Sequence, residues 1–350
     1  MEQALQHFQD RIRYASATGS ALRFRGGGSK DWYGQRLQGE VLDTSAYSGI
    51  VDYDPTELVV TVRAGTPLAE LQAALARHNQ FLAFEPPHFG AASTVGGMVA
   101  AGLSGPRRFA VGSVRDFVLG ASIMDAQGEL LNFGGRVMKN VAGYDLSRLM
   151  AGSMGSLALI LEVSLKVLPR PFEEATLRLE MNQAEALQRM NQWGGQPLPL
   201  SGTLWHDGQL YLRLSGAKAA VQAARAVLGG EEIAAGGLWD ALREQQHPFF
   251  SQAPCWRLSL PSLAAPLDLP GSTLIEWGGA LRWLSGEYDA GQVRALAARA
   301  GGHATLFRGG DKASGVFQPL PAPLLALHRR LKEKFDPRGI FNPGRLYPEF

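Results

Sequence analysis

Thirteen of the chain's 42 glycines fall between Gly90 and Gly155, about one residue in five across that window. Glycine in the interior of a helix or strand costs roughly 0.5–1 kcal/mol relative to alanine, so such density needs a local reason. Apolar, strand-like runs are threaded through the window, and flexible linkers lack those runs. Two readings remain. Either the backbone closely approaches a large polar ligand and holds it with main-chain N–H groups, or the glycines serve ordinary turns.

The rest of the composition narrows the class. With 350 residues, 45% of them hydrophobic, the chain can bury a core and has room for two domains. Lys plus Arg number 34 against 32 Asp plus Glu, so a nucleic-acid binder driven by charge is excluded as the leading idea. No run of 18 apolar residues is present, and the first fifteen residues lack the apolar stretch of a secretory signal. The only cysteine, Cys255, cannot form an internal disulfide or by itself hold an iron–sulfur cluster. The histidines show no metal-ligand spacing. The expectation is a soluble, cytoplasmic protein of two domains.

Periodicity places the elements. Leu5, Phe8 and Ile12 predict a helix over 2–16, followed by a short strand at 22–25 and another at 58–62. Thr66 and Pro67 read as N-cap and first position of a helix carrying Leu68, Leu71 and Leu75. Residues 117–125 and 129–133 predict a hairpin, and 157–168 a half-buried strand. Pro169-Arg170-Pro171 marks a boundary. Beyond it, strands are expected at 174–180, 203–214 as a hairpin, 256–260, 273–277, 280–285 and 303–308. Helices are expected at 184–193, 217–228, 290–300 and 321–334. This rhythm predicts an α+β domain with helices on one face of an antiparallel sheet.

Three segments carry chemistry. In Arg25-Gly26-Gly27-Gly28-Ser29-Lys30, three glycines after a strand allow successive amides to turn toward one anion, with the Ser29 hydroxyl as a further donor; a flexible surface turn is the alternative. The small-residue stretch 93–105 suits a wall against a flat ligand, with Ser93, Thr94 and Ser104 as donors; a closely packed short helix is the alternative. In 139–156, Asp145 reads as a helix cap, with Gly152 and Gly155 opening a loop after the helix. His88 reads as a structural loop residue, and Arg107 and Arg108 as solvated, with anion binding as the alternative.

Taken in order, these motifs resemble the FAD-binding domain of the vanillyl-alcohol oxidase superfamily, of PCMH type, in its branch acting on 2-hydroxy acids. The resemblance rests on residues 133–150 (FGGRVMKNVAGYDLSRLM), Val62-Arg63-Ala64-Gly65, Ser93-Thr94-Val95-Gly96-Gly97 and residues 335–345 (FDPRGIFNPGR). Residues 85–90 (EPPHFG) and 105–108 (GPRR), with the chain's length, resemble the shorter flavin-type subunits of bacterial glycolate oxidases.

The resemblance implies a FAD-binding domain of two α+β subdomains over 1–170. A cap domain with an antiparallel sheet would span 171–330, and 331–350 would return to the first domain. Arg25, Gly26, Gly27, Gly28, Ser29 and Lys30, together with Ser93, Thr94, Gly96 and Gly97, would hold the pyrophosphate and ribityl chain. Gly102, Ser104 and Gly105 would line the flavin, Ile160 would touch it through its backbone, and Asn342 would approach from the C-terminal segment. No histidine lies in 24–30, which implies noncovalent FAD.

The implied reaction is glycolate oxidation by hydride transfer to flavin. A larger FAD-linked subunit and an iron–sulfur subunit would be the partners, and any membrane attachment would run through them. The family's full-length catalytic members carry a histidine cluster in the cap. Here only His303 is available, and no catalytic residue is assigned. A self-sufficient 2-hydroxy-acid dehydrogenase and a FAD-free assembly scaffold are the alternatives.

Overall fold

The computed structural model describes residues 1–135 and 145–350. The signature residues 136–144 lie outside the described residues. The chain divides into two compact units. The first comprises Met1–Leu103, Ser113–Pro169 and Pro319–Phe350; the second comprises Ser104–Gly112 and Arg170–Gln318. Ser104–Gly112 therefore counts with the second unit although it falls inside the 1–170 stretch, and the return to the first unit begins at Pro319 rather than at 331.

The first unit is built on a five-stranded antiparallel sheet in the order Ile50–Asp54, Val59–Arg63, Leu159–Lys166, Val118–Met124, Leu130–Gly134. Leu159–Lys166 is the central strand. Only Glu162 and Lys166 along it are partly exposed, so it is buried on both faces rather than half-buried. Ser164, on the face expected to be solvated, instead meets Thr61 at 2.8 Å, hydroxyl to hydroxyl. The hairpin turn after Met124 is tied by the Asp125 carboxylate, which accepts the amides of Gln127 and Glu129 at 2.9 Å each.

A parallel pair, Leu22–Arg25 with Glu40–Asp43, sits beside this sheet, and Phe341 adds a parallel bridge at Leu22. The N-terminal helix, Glu2–Thr18, packs Phe8, Ile12 and Ala15 against Leu22, Leu42, Leu159, Leu161, Ile340 and Phe341. Burying Phe8 and Ile12 contributes about 1.5–3 kcal/mol each. Chain segments from both ends of the sequence thus share one core. The helix at Leu68–Ala76 starts one residue later than expected. Pro67 is its cap, and the Thr66 hydroxyl accepts the Gly49 amide at 2.9 Å instead of capping.

The second unit carries an eight-stranded antiparallel sheet in the order Glu231–Ile233, Glu173–Glu180, Gln209–Gly216, Leu200–His206, Thr273–Glu276, Leu281–Ser285, Cys255–Ser259, His303–Arg308. Helices Gln183–Gly194 and Lys218–Leu228 cover one half of one face through Leu187, Met190, Trp193, Val221 and Leu228. Helix Ala290–Arg299 covers the other half through Val293 and Ala297. The expected α+β class, with helices on one face of an antiparallel sheet, holds. Arg107 and Arg108 are not solvated: Arg107 is 7% exposed and ion-paired with Glu174, and Arg108 lies over the Trp277 ring at 4.3 Å.

Candidate functional site

The first unit contains a pocket of about 810 Å3, counting its open mouth, within the size range that binds cofactors. Of the fifteen expected binding residues, eleven line it: Arg25, Gly26, Gly27, Gly28, Ser29, Lys30, Thr94, Gly96, Gly97, Ile160 and Asn342. Ser93 lies beneath the wall, 1% exposed, and accepts the Lys30 ammonium at 3.0 Å. Gly102 caps the end of the Val95–Ala101 helix, and Ser104 and Gly105 belong to the second unit, where Gly105 accepts the Trp277 indole N–H at 3.0 Å. These four are not among the residues lining the pocket.

The glycine loop owes its shape to what surrounds it. The Arg25 carbonyl accepts the Thr44 amide at 2.9 Å as the strand ends. A side chain on Gly26 would overlap the Thr94 hydroxyl, and one on Gly27 the carbonyl of Ala92, so the loop lies flush against 92–94. Gly28 then turns with φ +70°. The carbonyls of this turn are taken: Gly28 accepts the Asp31 amide at 3.1 Å and Ser29 the Trp32 indole at 3.0 Å. The amides of Gly27, Gly28 and Ser29 donate to no acceptor among the described residues. Three consecutive uncommitted amides at a pocket wall form an anion cradle.

The Val95–Ala101 helix supplies the facing wall. It is a helix in spite of its small residues, and it packs tightly for that reason: a Cβ on Gly96 would come within 2.6 Å of Ala64 Cβ. Its first amides are already used, Val95 by Thr66 O, Gly96 by Ala64 O, and Gly97 by its capping Thr94 hydroxyl at 3.3 Å. Gly96 and Gly97 therefore contribute absence of bulk, and the uncommitted donors sit on the opposite loop.

Charge at the loop is positive. Arg345, 5% exposed, donates to the carbonyls of Gln35, Lys30 and Asp31 from below. Burial lowers its pKa to about 10, chiefly against the opposing pull of Asp31, so it stays charged at neutral pH. Lys30 bonds Ser93, and the His88 carbonyl at 3.1 Å, while Arg25 meets the Asp31 carboxylate at 3.1 Å. His88 is structural as expected, its Nε2 meeting Gln72 at 2.9 Å.

Asn342 closes the pocket from the C-terminal segment. Its Oδ1 accepts the Phe24 amide at 2.9 Å and its Nδ2 donates to the Met154 carbonyl at 2.6 Å. Gly155, with φ +70°, makes room for that carboxamide, since a Cβ there would stand 2.7 Å from Nδ2. Sequence reasoning missed Arg345, Met154 and Ala64 as lining residues. Arg345 and Ala64 lay inside quoted motifs, which was the available signal. Asp145 caps Leu146–Leu149 by accepting the Arg148 amide at 3.2 Å and does not line the pocket.

Elsewhere, no group of three His, Cys, Asp or Glu side chains suited to a metal occurs among the described residues. No helix among them is long and apolar enough to cross a membrane.

A dinucleotide fits this construction. The uncommitted amides and the cations Arg25, Lys30 and Arg345 suit a pyrophosphate, and the small, close-packed 94–101 wall with Ala158 and Ile160 suits a flat ring system. No histidine or cysteine lines the pocket, so no lining side chain of those types offers a covalent link. The FAD binding domain family matches residues 3–134. Glycolate oxidase subunit GlcE of Escherichia coli is 52% identical over 345 residues, covering 98% of this chain and 97% of that protein. D-lactate dehydrogenase of Archaeoglobus fulgidus is 35% identical over 45% of this chain and 36% of its own length. Glycolate oxidase subunit GlcD of Bacillus subtilis is 34% identical over 37% of this chain and 27% of its own length. Among solved structures, an alkyldihydroxyacetonephosphate synthase superposes with a TM-score of 0.66 over 96% of this chain and 74% of its own, at 16% identity.

Proposed function

The chain belongs to the family of FAD-binding glycolate oxidase subunits, and from that premise we propose that it binds FAD noncovalently and serves a complex that oxidises glycolate to glyoxylate. The observation that carries this reading is the run of three uncommitted amides, Gly27 to Ser29, on the wall of a pocket ringed by fixed cations. Each charge-assisted bond to a phosphate contributes about 1.5–3 kcal/mol, so the cradle alone anchors a pyrophosphate.

Gly27, Gly28 and Ser29 would hold the pyrophosphate through N–H groups, with Lys30 and Arg345 providing the field. Thr94, Gly96 and Gly97 would lie against the chain leading to the ring, and Ile160 and Asn342 would border it. When bound, FAD supplies a two-electron acceptor for the hydroxy acid, and the protein supplies position and field. Of the four remaining expected residues, Ser93 would support the cradle from behind through Lys30, and Gly102, Ser104 and Gly105 take no part in this reading.

Turnover in this reading depends on partner chains. His303, at the start of its strand with one edge open to solvent, has no carboxylate bonded to it among the described residues, and partial desolvation of the ring, with the Arg257 charge, lowers its pKa. A general base is normally oriented by such a partner. Cys255 is the sole cysteine of this sequence and is buried, which supports a reading in which an iron–sulfur relay would come from another subunit, with a larger FAD-linked subunit as the second partner. The test is a visible spectrum of the purified chain before and after anaerobic glycolate. A bound-flavin spectrum that stays oxidised is expected. Rapid bleaching would make the isolated chain a dehydrogenase in its own right, and no flavin after reconstitution with FAD would leave a scaffold.

A further inference from the structure

The helix Ala322–Phe335 adds almost nothing to the hydrophobic core. Lys332 is its only buried residue, while Leu324 and Leu327 are 41% and 46% exposed. The helix is therefore anchored through a charge. The Lys332 ammonium donates to Asp336 Oδ2 at 2.7 Å, to the Ser156 carbonyl at 2.7 Å and to the Phe341 carbonyl at 2.8 Å. The Asp336 carboxylate, 1% exposed, accepts the Ile340 amide at 3.0 Å and the Phe341 amide at 2.7 Å.

Every anchor of this clasp lies within two residues of the pocket. Ser156 follows Met154 and Gly155, which line it, and Phe341 precedes Asn342, whose carboxamide joins Phe24 to Met154. A buried ion pair is a weak source of stability, and its best-attested use is to select one geometry. The geometry selected here is the pocket wall made by Gly155 and Asn342. We infer that Lys332 and Asp336 are positioning residues for the cofactor site, holding the 154–156 loop and the 340–342 segment in the register that lets Asn342 close the pocket. This rests on the reading that the pocket holds FAD.

The test compares Lys332→Met and Asp336→Asn with Leu75→Ala, a buried change in the same unit away from the pocket that supplies a purely destabilised control. FAD affinity is titrated on full-length apoprotein at a temperature where all are folded. Both clasp variants should weaken FAD by at least about tenfold, while Leu75→Ala stays within about twofold. A second readout needs no cofactor: hydrogen exchange of the Phe24 and Asn342 amides in apoprotein should speed up by at least about tenfold in the clasp variants only. Clasp variants that keep both FAD affinity and exchange protection would overturn the inference, as would a control that loses FAD equally. If neither clasp variant folds, the pair serves the fold rather than the site, and the inference falls. Wild-type protein that binds no FAD while the exchange difference persists would instead sink the functional reading and leave the clasp standing.

Discussion

A side-chain carbon on Gly27 would overlap the carbonyl of Ala92, so the phosphate-type loop and the segment leading into the Val95–Ala101 helix are in backbone contact. Neither segment has a flexible tip that can yield. Gly27→Ala is therefore expected to push the cradle out of shape, destabilising the unit by about 1–3 kcal/mol as overpacking does. FAD retention should fall by at least about tenfold. Flavin content after gel filtration, with thermal melting alongside, checks it.

Gly97→Asp separates binding from folding. Gly97 is the third residue of its helix, where a carboxylate is favoured by the helix dipole by about 0.3–1 kcal/mol. The same carboxylate brings negative charge to a wall facing the anion cradle. A Cβ at Gly97 stands 3.1 Å from the capping Thr94 hydroxyl, which offsets that gain, so the variant should stay folded with a melting temperature close to wild type and carry no flavin. Retained flavin in the folded variant would move the cofactor away from this wall.

Asn342→Ala removes both partners that one carboxamide serves. The Phe24 amide and the Met154 carbonyl lose their bonds, a cost of about 1–3 kcal/mol for each group left unsatisfied. Urea denaturation should show a lower midpoint, and FAD affinity should fall with it. Asn342→Asp, which keeps an acceptor for Phe24 but sets a carboxylate oxygen against the Met154 carbonyl in a buried site, should cost at least as much as the alanine change.

The second unit should weaken in mild acid. Burial, with a smaller push from His206, holds the His247 imidazole below its ordinary value, and its Nδ1 accepts the Phe249 amide at 3.3 Å, which only the neutral ring can do. A histidine depressed in the fold stabilises it fully above the ordinary value of about 6.5. That contribution is lost as pH falls from there through the folded-state pKa. Tryptophan fluorescence melts across that range should show the loss, and His247→Gln should flatten it.

Cys255 offers a probe of the same unit. It is 2% exposed, donates to the Gln252 carbonyl at 3.2 Å, and burial raises its thiol pKa. Its reaction with an aromatic disulfide should be about a hundredfold slower in the folded protein than in urea. Fast labelling of native protein would show that this part of the sheet opens readily.

Much of the architecture was legible because it is local. The N-terminal helix, expected over 2–16 and ending at Thr18, the Asp125 hairpin and the strands and helices of 173–308 other than Glu231–Ile233 and Leu238–Arg243 follow from apolar spacing, and the glycine loop from its composition. What escaped depends on partners distant in sequence. Glu40–Asp43 is a mostly exposed strand recognisable only once Leu22–Arg25 lies beside it. Leu159–Lys166 alternates like a half-exposed strand, but neighbours on both sides and packing on both faces bury it. Arg107 and Arg108 read as surface charge until Glu174 and Trp277 are brought to them. Of the site, the small residues announced themselves, whereas Arg345 gave no sign that its guanidinium would reach three carbonyls more than 300 residues upstream.

The bond between Phe24 and Asn342 spans 318 residues, and this sets an order of events during synthesis. The glycine loop leaves the ribosome ahead of its closing partner, which follows only after the whole second unit has been made. Until then the cradle lacks Asn342 and Arg345, and the nascent chain presents an incomplete wall. Most of the second unit, Arg170–Gln318, is an insertion between two parts of the first, so its folding shortens the disordered loop that has to close. The full pocket wall is accordingly available to FAD only once residues 340–345 have been made and have paired back onto the glycine loop.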